Sequence, residues 1–160
     1  MAIAVGDRIP SVTVQHMTQG GPADISTDEI FAGRKVVLFA LPGAFTPTCS
    51  AAHLPGYVVH ADDIKAKGVD EIICLAVNDA FVMDAWGKMQ NVEDRVHMVA
   101  DGSAALSEAL GLQLDLTERG FGIRSDRYAM IVEDGVVTAL YREAPGKFEV
   151  SGAEQVINRL

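Results

Sequence analysis

The fold is organised around the loop Pro42-Gly43-Ala44-Phe45-Thr46-Pro47-Thr48-Cys49-Ser50. The apolar run Val36-Val37-Leu38-Phe39-Ala40-Leu41 precedes it and is typical of a buried strand. A helical pattern follows it, from Thr48 towards Lys67. Cys49 is therefore predicted in the first turn of a helix, where free backbone N–H groups and the positive end of the helix dipole favour a thiolate over a thiol. The alternative is a buried structural cysteine, the common fate of an unpaired one.

Three other residues of this loop restrict what surrounds the sulfur. Pro42 and Pro47 fix φ, so they limit the directions in which Cys49 can point. Thr46 lies three residues before Cys49 and carries a hydroxyl that can donate or accept a hydrogen bond near the thiol. The loop thus predicts a reactive cysteine at a strand-loop-helix junction.

The pattern Pro-x-x-x-Thr-x-x-Cys at 42–49 resembles the signature of the peroxiredoxins. The stretches AHLPGY at 52–57, CLAVND at 74–79 and FGIRSDRYAMIVEDG at 121–135 fit the type II (atypical, glutaredoxin-linked) group, as does a short C-terminal helix. The resemblance extends over nearly the whole chain. It implies a thiol peroxidase in which the Cys49 thiolate attacks hydrogen peroxide or an alkyl hydroperoxide, forms a sulfenic acid and is regenerated by glutathione and glutaredoxin, or by thioredoxin.

Three residues take roles around Cys49 from the resemblance. Thr46 would hold the peroxide in line with the sulfur, although alone it would be an ordinary turn threonine. Pro42 would shield the sulfur from water, or be a plain loop proline. Arg127 would favour the thiolate and bind the peroxide oxygen, because a guanidinium is always charged and offers several donors in a fixed fork. Arg124 is its main competitor for that role, and a plain surface arginine is the other alternative.

The sequence leaves two roles open for His53 and two for Cys74. His53 lies four residues after Cys49 on the same helix face, so it could tune the thiolate, but a structural role near Pro55 is favoured. Cys74 stands in the middle of a predicted strand, which favours a small buried side chain over a resolving cysteine. The chain also lacks a further cysteine near its C-terminus, where other members of the group have one, so the resemblance implies a one-cysteine cycle.

The remaining pattern predicts a central mixed β-sheet flanked by helices in one domain, 1–160, with the α/β element order of the thioredoxin fold. Residues 112–125 show no clear periodicity and are predicted as a loop over the active site. The predicted strands are 11–15, 36–41, 72–77, 96–99, 128–132 and 136–141, the last two joined by Asp134-Gly135. The predicted helices begin at capping boxes at Ser26 and Ser151, run from Thr48 with a kink at Pro55, and cover 80–89 and 104–110.

The charge and composition of the chain indicate which classes of partner it is not expected to bind. With a net charge of −9, nucleic acid and anionic membranes are not expected, and no run of 18 apolar residues exists. The N-terminal segment lacks the pattern of a secretory signal, and two cysteines do not make a disulfide framework, so a reducing cytoplasm is expected. His16, His60 and His97 make no ligand spacing, so neither a metal nor a cofactor is predicted. From the resemblance, the aromatic residues expected at a homodimer face and pocket wall are Phe45, Phe81, Trp86 and Phe121.

Three other functions compete with that of a thiol peroxidase. A disulfide reductase needs a Cys-x-x-Cys pair, and Ala52 and Thr46 occupy the two positions that could supply the partner of Cys49. A redox sensor or chaperone that reports oxidation of Cys49 stays open as a further role. A cysteine hydrolase would need His53 as base, but no oriented Cys-His-acid set is evident.

Overall fold

A computed structural model describes all residues, 1–160, and shows a seven-stranded sheet. Its strands are β1 Thr13–Thr18, β2 Gly21–Ser26, β3 Lys35–Ala40, β4 Glu71–Ala76, β5 His97–Ala100, β8 Tyr128–Glu133 and β9 Val136–Arg142. They lie in the order β2-β1-β5-β4-β3-β8-β9. The three central strands β3, β4 and β5 are parallel, and the strands on both sides are antiparallel, which confirms the predicted mixed sheet.

Helices cover both faces of the sheet, which explains why β3 and β4 are continuous apolar runs. Side chains alternate along β3: Val37 and Phe39 face one core layer, while Val36 and Leu38 face the other. The first layer also holds Cys49. The helices are α1 Thr27–Phe31, α2 Leu54–Val59, α3 Ala61–Ala66, α4 Ala80–Met89, α5 Ala105–Leu110 and α6 Ala153–Arg159. Helices α2, α3, α4 and α6 pack on the layer that holds Cys49, and α1 and α5 pack on the opposite layer. None of these helices has the length and apolar character needed to cross a bilayer.

The predicted helix from Thr48 to Lys67 is divided into three segments. Residues 49–53 form a π-helical turn, in which the N–H of Leu54 donates to the carbonyl of Cys49 five residues earlier. The helix is then α-helical, and it is interrupted again at His60, whose φ of −96° and ψ of 8° are not helical. Pro55 lies in the first turn of α2, where its missing N–H costs little. The irregular turn therefore comes before the proline and includes the cysteine.

Two capping predictions have opposite outcomes. The Ser26 hydroxyl accepts a hydrogen bond from the N–H of Glu29 at 3.1 Å, which confirms the cap of α1. The predicted capping box at Ser151 is wrong, because Gly152 is the cap residue of α6 and makes no side-chain cap bond. The Ser151 hydroxyl instead donates to Glu143 at 2.7 Å. The Ser151 side chain therefore binds Glu143, outside the helix, and does not cap α6 as the local pattern predicted.

The predicted loop at 112–125 is also wrong. It forms a second, two-stranded sheet of β6, Gln113–Leu116, and β7, Gly122–Ser125. Each strand has only four residues, too few to show a period, and Gly120 and Gly122 at φ values of 79° and 67° shape the turn. The strand β2 was missed as well, because Gly21-Pro22 at its start is typical of a turn.

Candidate active site

Cys49 occupies the first position of the π-helical turn at the carboxyl end of β3, and its side chain is fully buried. Pro47 and Thr48 are already helical, and the N–H of Ser50 donates to the carbonyl of Thr46 at 2.9 Å. The sulfur therefore lies in the first turn of this helical segment, near the positive end of the helix dipole. This is the environment in which a thiolate is favoured electrostatically.

Arg127 contacts the sulfur directly: its Nη2 lies 3.1 Å from Cys49 Sγ. The sheet explains this contact, because β8 runs antiparallel beside β3 with Tyr128 opposite Ala40. The residue before Tyr128 therefore reaches the end of the sheet where the chain leaves β3 for the cysteine loop. A permanent positive charge on a buried sulfur stabilises its anionic form.

Arg124 makes different contacts. Its Nε donates to the carbonyl of Phe121 at 2.9 Å, and its Nη1 donates to the carbonyl of Pro42 at 3.3 Å. A Cβ at Gly43 would lie 2.7 Å from that same Nη1, so a larger residue at 43 would require the end of the Arg124 side chain to shift. Arg124 thus holds the cysteine loop by its backbone, whereas Arg127 contacts the sulfur.

Thr46 directs its hydroxyl to its own loop, donating to the carbonyl of Gly43 at 2.7 Å. That bond uses the hydroxyl proton and leaves the lone pairs of the oxygen free to accept. Pro42, Thr46 and Arg127 all line one open cleft of about 910 Å³. The β6–β7 hairpin forms one wall of the cleft, and residues 144–147 form part of another.

Cys49 has no exposed surface, whereas Arg127 both lines the cleft and contacts the sulfur. A small molecule in the cleft therefore meets the guanidinium before it meets Sγ. To reach the sulfur it has to displace part of the layer formed by Arg127 and the cysteine loop, and this makes the mobility of that layer part of the site.

His53 is buried and holds Arg127 from the other side. Its Nδ1 accepts from Arg127 Nη1 at 2.8 Å, and its Nε2–H donates to the carbonyl of Ser151 at 3.1 Å. Burial, followed by the positive charge of Arg127, lowers the pKa of His53 to about 3. A neutral imidazole whose free lone pair is occupied by a guanidinium is a poor general base, which counts against the cysteine hydrolase.

Cys74 lies in the middle of β4, fully buried opposite Phe39, and both cysteines are free thiols. Burial, and to a lesser extent the neighbouring Cys49, raises the pKa of Cys74 well above its ordinary value. A thiol in this environment stays protonated and unreactive. Cys74 lies in the same core layer as Cys49, and no disulfide joins the two in this structure.

Among the four aromatic residues expected around the site, the prediction for Trp86 is wrong. Trp86 is fully buried, and its indole N–H donates to the Ser50 hydroxyl at 3.1 Å, so it supports the π-helical turn from α4. The rings of Phe45, Phe81 and Phe121 are exposed. Helical spacing alone could have assigned Trp86 to the buried face of α4, since it lies three residues after the buried Met83.

Two histidines that are far apart in the sequence meet in the structure. His16 Nδ1 and His97 Nε2 lie 2.8 Å apart, and His97 Nδ1 bonds Glu71, which also pairs with Arg34. These two histidines are therefore neighbours in the fold, although their spacing in the sequence gave no sign of it. No group of three or more potential metal ligands is assembled anywhere in the chain.

Comparison with known proteins finds relatives along nearly the whole chain. The family model described as Redoxin matches residues 4–157. Peroxiredoxin-2C of Arabidopsis thaliana is 46% identical over 159 residues, covering 99% of this chain and 98% of the relative. The chloroplastic Peroxiredoxin-2E-2 of Oryza sativa subsp. japonica is 47% identical over 166 residues, covering 99% of this chain and 72% of the relative.

A solved structure matches the chain over a similar length. The crystal structure of reduced Prx3 from Vibrio vulnificus in complex with hydrogen peroxide superposes with a TM-score of 0.95 at 55% identity. The match covers 98% of each chain. The expected thioredoxin-type fold is therefore confirmed over almost the whole length.

Proposed function

The chain belongs to the Redoxin family and is a type II peroxiredoxin, a thiol peroxidase, and we propose that Cys49 is its nucleophile. The observation that carries this assignment is the 3.1 Å contact between Arg127 Nη2 and Cys49 Sγ. A helix start and a guanidinium at the same sulfur favour the thiolate, the form that attacks a peroxide. Cys74 has neither feature.

In the proposed reaction, the Cys49 thiolate attacks the terminal oxygen of a hydroperoxide. The S–O bond forms as the O–O bond breaks, giving a sulfenic acid and a hydroxide or alkoxide, which takes up a proton to leave as water or alcohol. Negative charge moves from sulfur to the departing oxygen. Arg127 can stabilise both positions, because its Nη2 contacts the sulfur and its side chain also lines the cleft from which the peroxide enters.

We assign Thr46 and Pro42 to positioning and exclusion of water. Both line the cleft that leads towards the buried sulfur. The free lone pairs on the Thr46 hydroxyl suit an O–H of the incoming peroxide, and its proton can turn from Gly43 to the second peroxide oxygen. The apolar ring of Pro42 keeps water from competing with these bonds.

We propose a one-cysteine cycle for the reduction of the sulfenic acid. An external thiol, glutathione alone or with glutaredoxin, attacks the Cys49 sulfur, releases water and forms a mixed disulfide. A second thiol then releases the Cys49 thiolate and a disulfide, so that two thiols are oxidised for each peroxide reduced. The burial of Cys74 in a central strand supports an external partner over an internal one.

We also propose a homodimer and a cytoplasmic location. The exposed rings of Phe45, Phe81 and Phe121 support an interface near the cysteine loop. A cycle that consumes external thiols requires a reducing compartment. Relatives such as the chloroplastic protein of Oryza sativa work in other compartments.

Stopped-flow mixing of the reduced protein with hydrogen peroxide tests the assignment of Cys49. Second-order consumption of peroxide should be lost in Cys49→Ser and nearly kept in Cys74→Ser, the matched control for loss of one thiol. Turnover of peroxide by Cys49→Ser would refute the assignment. Intact mass after one equivalent of peroxide should show a sulfenic acid and no 49–74 disulfide in the folded chain.

The reductant is tested on protein oxidised by one equivalent of peroxide. Glutathione should add once to Cys49, and glutaredoxin should then speed the release of the free thiol. Thioredoxin with its reductase serves as the competing system at equal reducing capacity. Faster recovery with thioredoxin than with glutathione and glutaredoxin would reverse the proposed order of reductants.

A further inference from the structure

Glu143 is a buried carboxylate directly after β9, with 5% of its surface exposed and no cationic partner. Its oxygens accept from the N–H groups of Glu149, Val150 and Ser151 at 2.8–2.9 Å and from the Ser151 hydroxyl at 2.7 Å. Burial alone would raise the pKa of Glu143, but these donors outweigh it and hold the pKa below its ordinary value. The carboxylate thus fixes residues 149–151, just before α6.

Ser151 transmits this constraint to the active site through its carbonyl. That oxygen accepts from His53 Nε2–H at 3.1 Å and from the Tyr57 hydroxyl at 2.7 Å. With the proton on Nε2, the Nδ1 of His53 is free to accept from Arg127 Nη1 at 2.8 Å. The same guanidinium contacts Cys49 Sγ through Nη2. An unbroken line of hydrogen bonds therefore joins the 149–151 segment to the sulfur.

The backbone places Glu143 suitably for this link. Its N–H donates to the carbonyl of Arg127 at 2.9 Å, so the two residues lie opposite each other where β9 ends and β8 begins. The Glu143 side chain makes no hydrogen bond to Arg127, His53 or Cys49. The hydrogen bonds that link its carboxylate to the sulfur therefore run through Ser151.

We propose that Glu143 is a positioning residue for peroxide reduction: its carboxylate fixes the Ser151 carbonyl, which holds His53 in the Nε2–H tautomer that keeps Arg127 against Cys49. If the 149–151 segment loosens, the imidazole loses its acceptor and its proton can move to Nδ1. An Nδ1–H would face the N–H of Arg127, donor against donor, and the guanidinium would turn into the cleft that it already lines. This inference rests on the proposed role of Cys49.

A double-mutant cycle between Glu143→Gln and His53→Leu tests the link, with the second-order rate constant for hydrogen peroxide as the readout. The glutamine has the same size but presents an NH2 group to the N–H donors. Glu143→Gln should slow the reaction roughly 10-fold or more in the wild-type background. In the His53→Leu background, where the link is already cut, it should slow the reaction less than about 2-fold. Glu133→Gln, the same charge change at the exposed far end of β8, is the matched control and should have no effect.

The tautomer of His53 gives a second readout that loss of stability alone would not change. In ¹⁵N-labelled wild-type protein, the imidazole shifts should show the Nε2–H tautomer, and in Glu143→Gln they should show a mixture or the Nδ1–H form. Ser151→Ala is the milder variant if Glu143→Gln does not fold. It keeps the backbone donor and the carbonyl but loses the hydroxyl bond, so a loss of roughly 2- to 5-fold is expected, again absent with His53→Leu.

Rate losses of the same factor in both backgrounds would overturn the proposal, because Glu143 would then act independently of His53. An unchanged rate in Glu143→Gln, or a slower rate with an unchanged tautomer, would also overturn it. If Glu143→Gln does not fold, the same criteria apply to Ser151→Ala. Each of these outcomes leaves the role of Cys49 intact, which fails only if Cys49→Ser still consumes peroxide.

Discussion

At the scale of single residues, the site depends on which guanidinium reaches the sulfur. Arg124 and Arg127 are three positions apart and chemically identical, yet one binds the carbonyl of Pro42 and the other binds Cys49 Sγ. The division follows from the end of β7 and the start of β8, which separate the two side chains. One arginine therefore binds the backbone of the loop, and the other contacts the sulfur of the proposed nucleophile.

Replacing Arg127 by alanine should slow the reaction with peroxide roughly 100-fold or more, because a donor to the developing charge and a positive charge at the thiolate are both lost. Arg124→Ala should slow it much less, since only a backbone contact of the loop is removed. Stopped-flow rates for the two variants at equal pH and salt make the comparison. The reverse order would move the catalytic role to Arg124.

His53 should make the folded protein sensitive to acid. Its pKa in the folded chain, about 3, lies below the ordinary value of 6.5, so between these values the unfolded chain binds a proton that the folded chain does not. The contribution of His53 to the free energy of unfolding is therefore fully present above pH 6.5. As the pH falls from 6.5 towards 3, the free energy of unfolding decreases through this group by on the order of 5 kcal/mol in total.

His53→Gln keeps hydrogen-bonding groups but does not titrate, so its free energy of unfolding should depend less on pH between 6.5 and 5 than that of the wild type. Urea denaturation at several pH values measures this. The range above pH 5 separates the histidine from the carboxylates, which titrate lower. Parallel curves for the two proteins would contradict the buried neutral imidazole.

At the scale of elements, the cysteine turn is held from several sides. Trp86 and Gln90, one turn apart at the end of α4, donate to the hydroxyl and the carbonyl of Ser50, next to Cys49. The π-helical turn between residues 49 and 53 widens the helix by one residue where the sulfur is presented. The surrounding helices thus fix an irregular turn that isolated helix propensity would not favour.

The start of α5 offers a test of element stability. Asp101 is buried and accepts from the N–H groups of Leu106 and Ser107 and from the Ser107 hydroxyl at 2.8–3.0 Å. Asp101→Ala should lower the free energy of unfolding by about 3 kcal/mol, because three donors lose a buried acceptor. Asp79→Ala, which removes a single bond to Val82 at the exposed cap of α4, should cost only about 1 kcal/mol. Equal losses in denaturant titrations would contradict this account.

At the scale of the whole molecule, the sheet brings distant segments to one end. The cysteine loop follows β3, Arg127 precedes the adjacent β8, and residues 149–151 lie beside the end of β9. The exposed aromatic residues lie near the same end. The N–H of Ala44, next to Phe45, donates to Asn78, which stands just before the helix that carries Phe81. Arg124, which binds the carbonyl of Pro42 in the cysteine loop, lies over the ring of Phe121. A second subunit bound there would border the active-site cleft.

The proposed dimer predicts that Phe81→Asp weakens self-association, since Phe81 is 65% exposed and a buried unpaired carboxylate at an interface is costly. Sedimentation velocity over a range of concentrations should show the wild type as a dimer and the variant shifted towards monomer. Val59→Asp introduces the same charge at another exposed apolar position and should leave the dimer unchanged. A wild type that stays monomeric at all concentrations would rule the interface out.

The sequence by itself determined the features that depend on neighbouring residues. Runs of apolar side chains located β3 and β4, Asp134-Gly135 located the β8–β9 hairpin, and the Ser26 cap located α1. The spacing of Pro42, Thr46 and Cys49 located the loop. These predictions succeeded because periodicity, turn chemistry and capping act within a few residues.

Only the tertiary structure decided which side chains meet across long separations. It placed Arg127 rather than Arg124 on the sulfur, joined His53 to Ser151 across 98 residues, and gave the Ser151 hydroxyl to Glu143 instead of to α6. Such contacts leave no period in the sequence, because a buried donor takes whichever acceptor the packed sheet brings within reach. The proposed reactive cysteine can therefore be predicted from the local sequence, but the hydrogen bonds that hold its arginine in place depend on the completed fold.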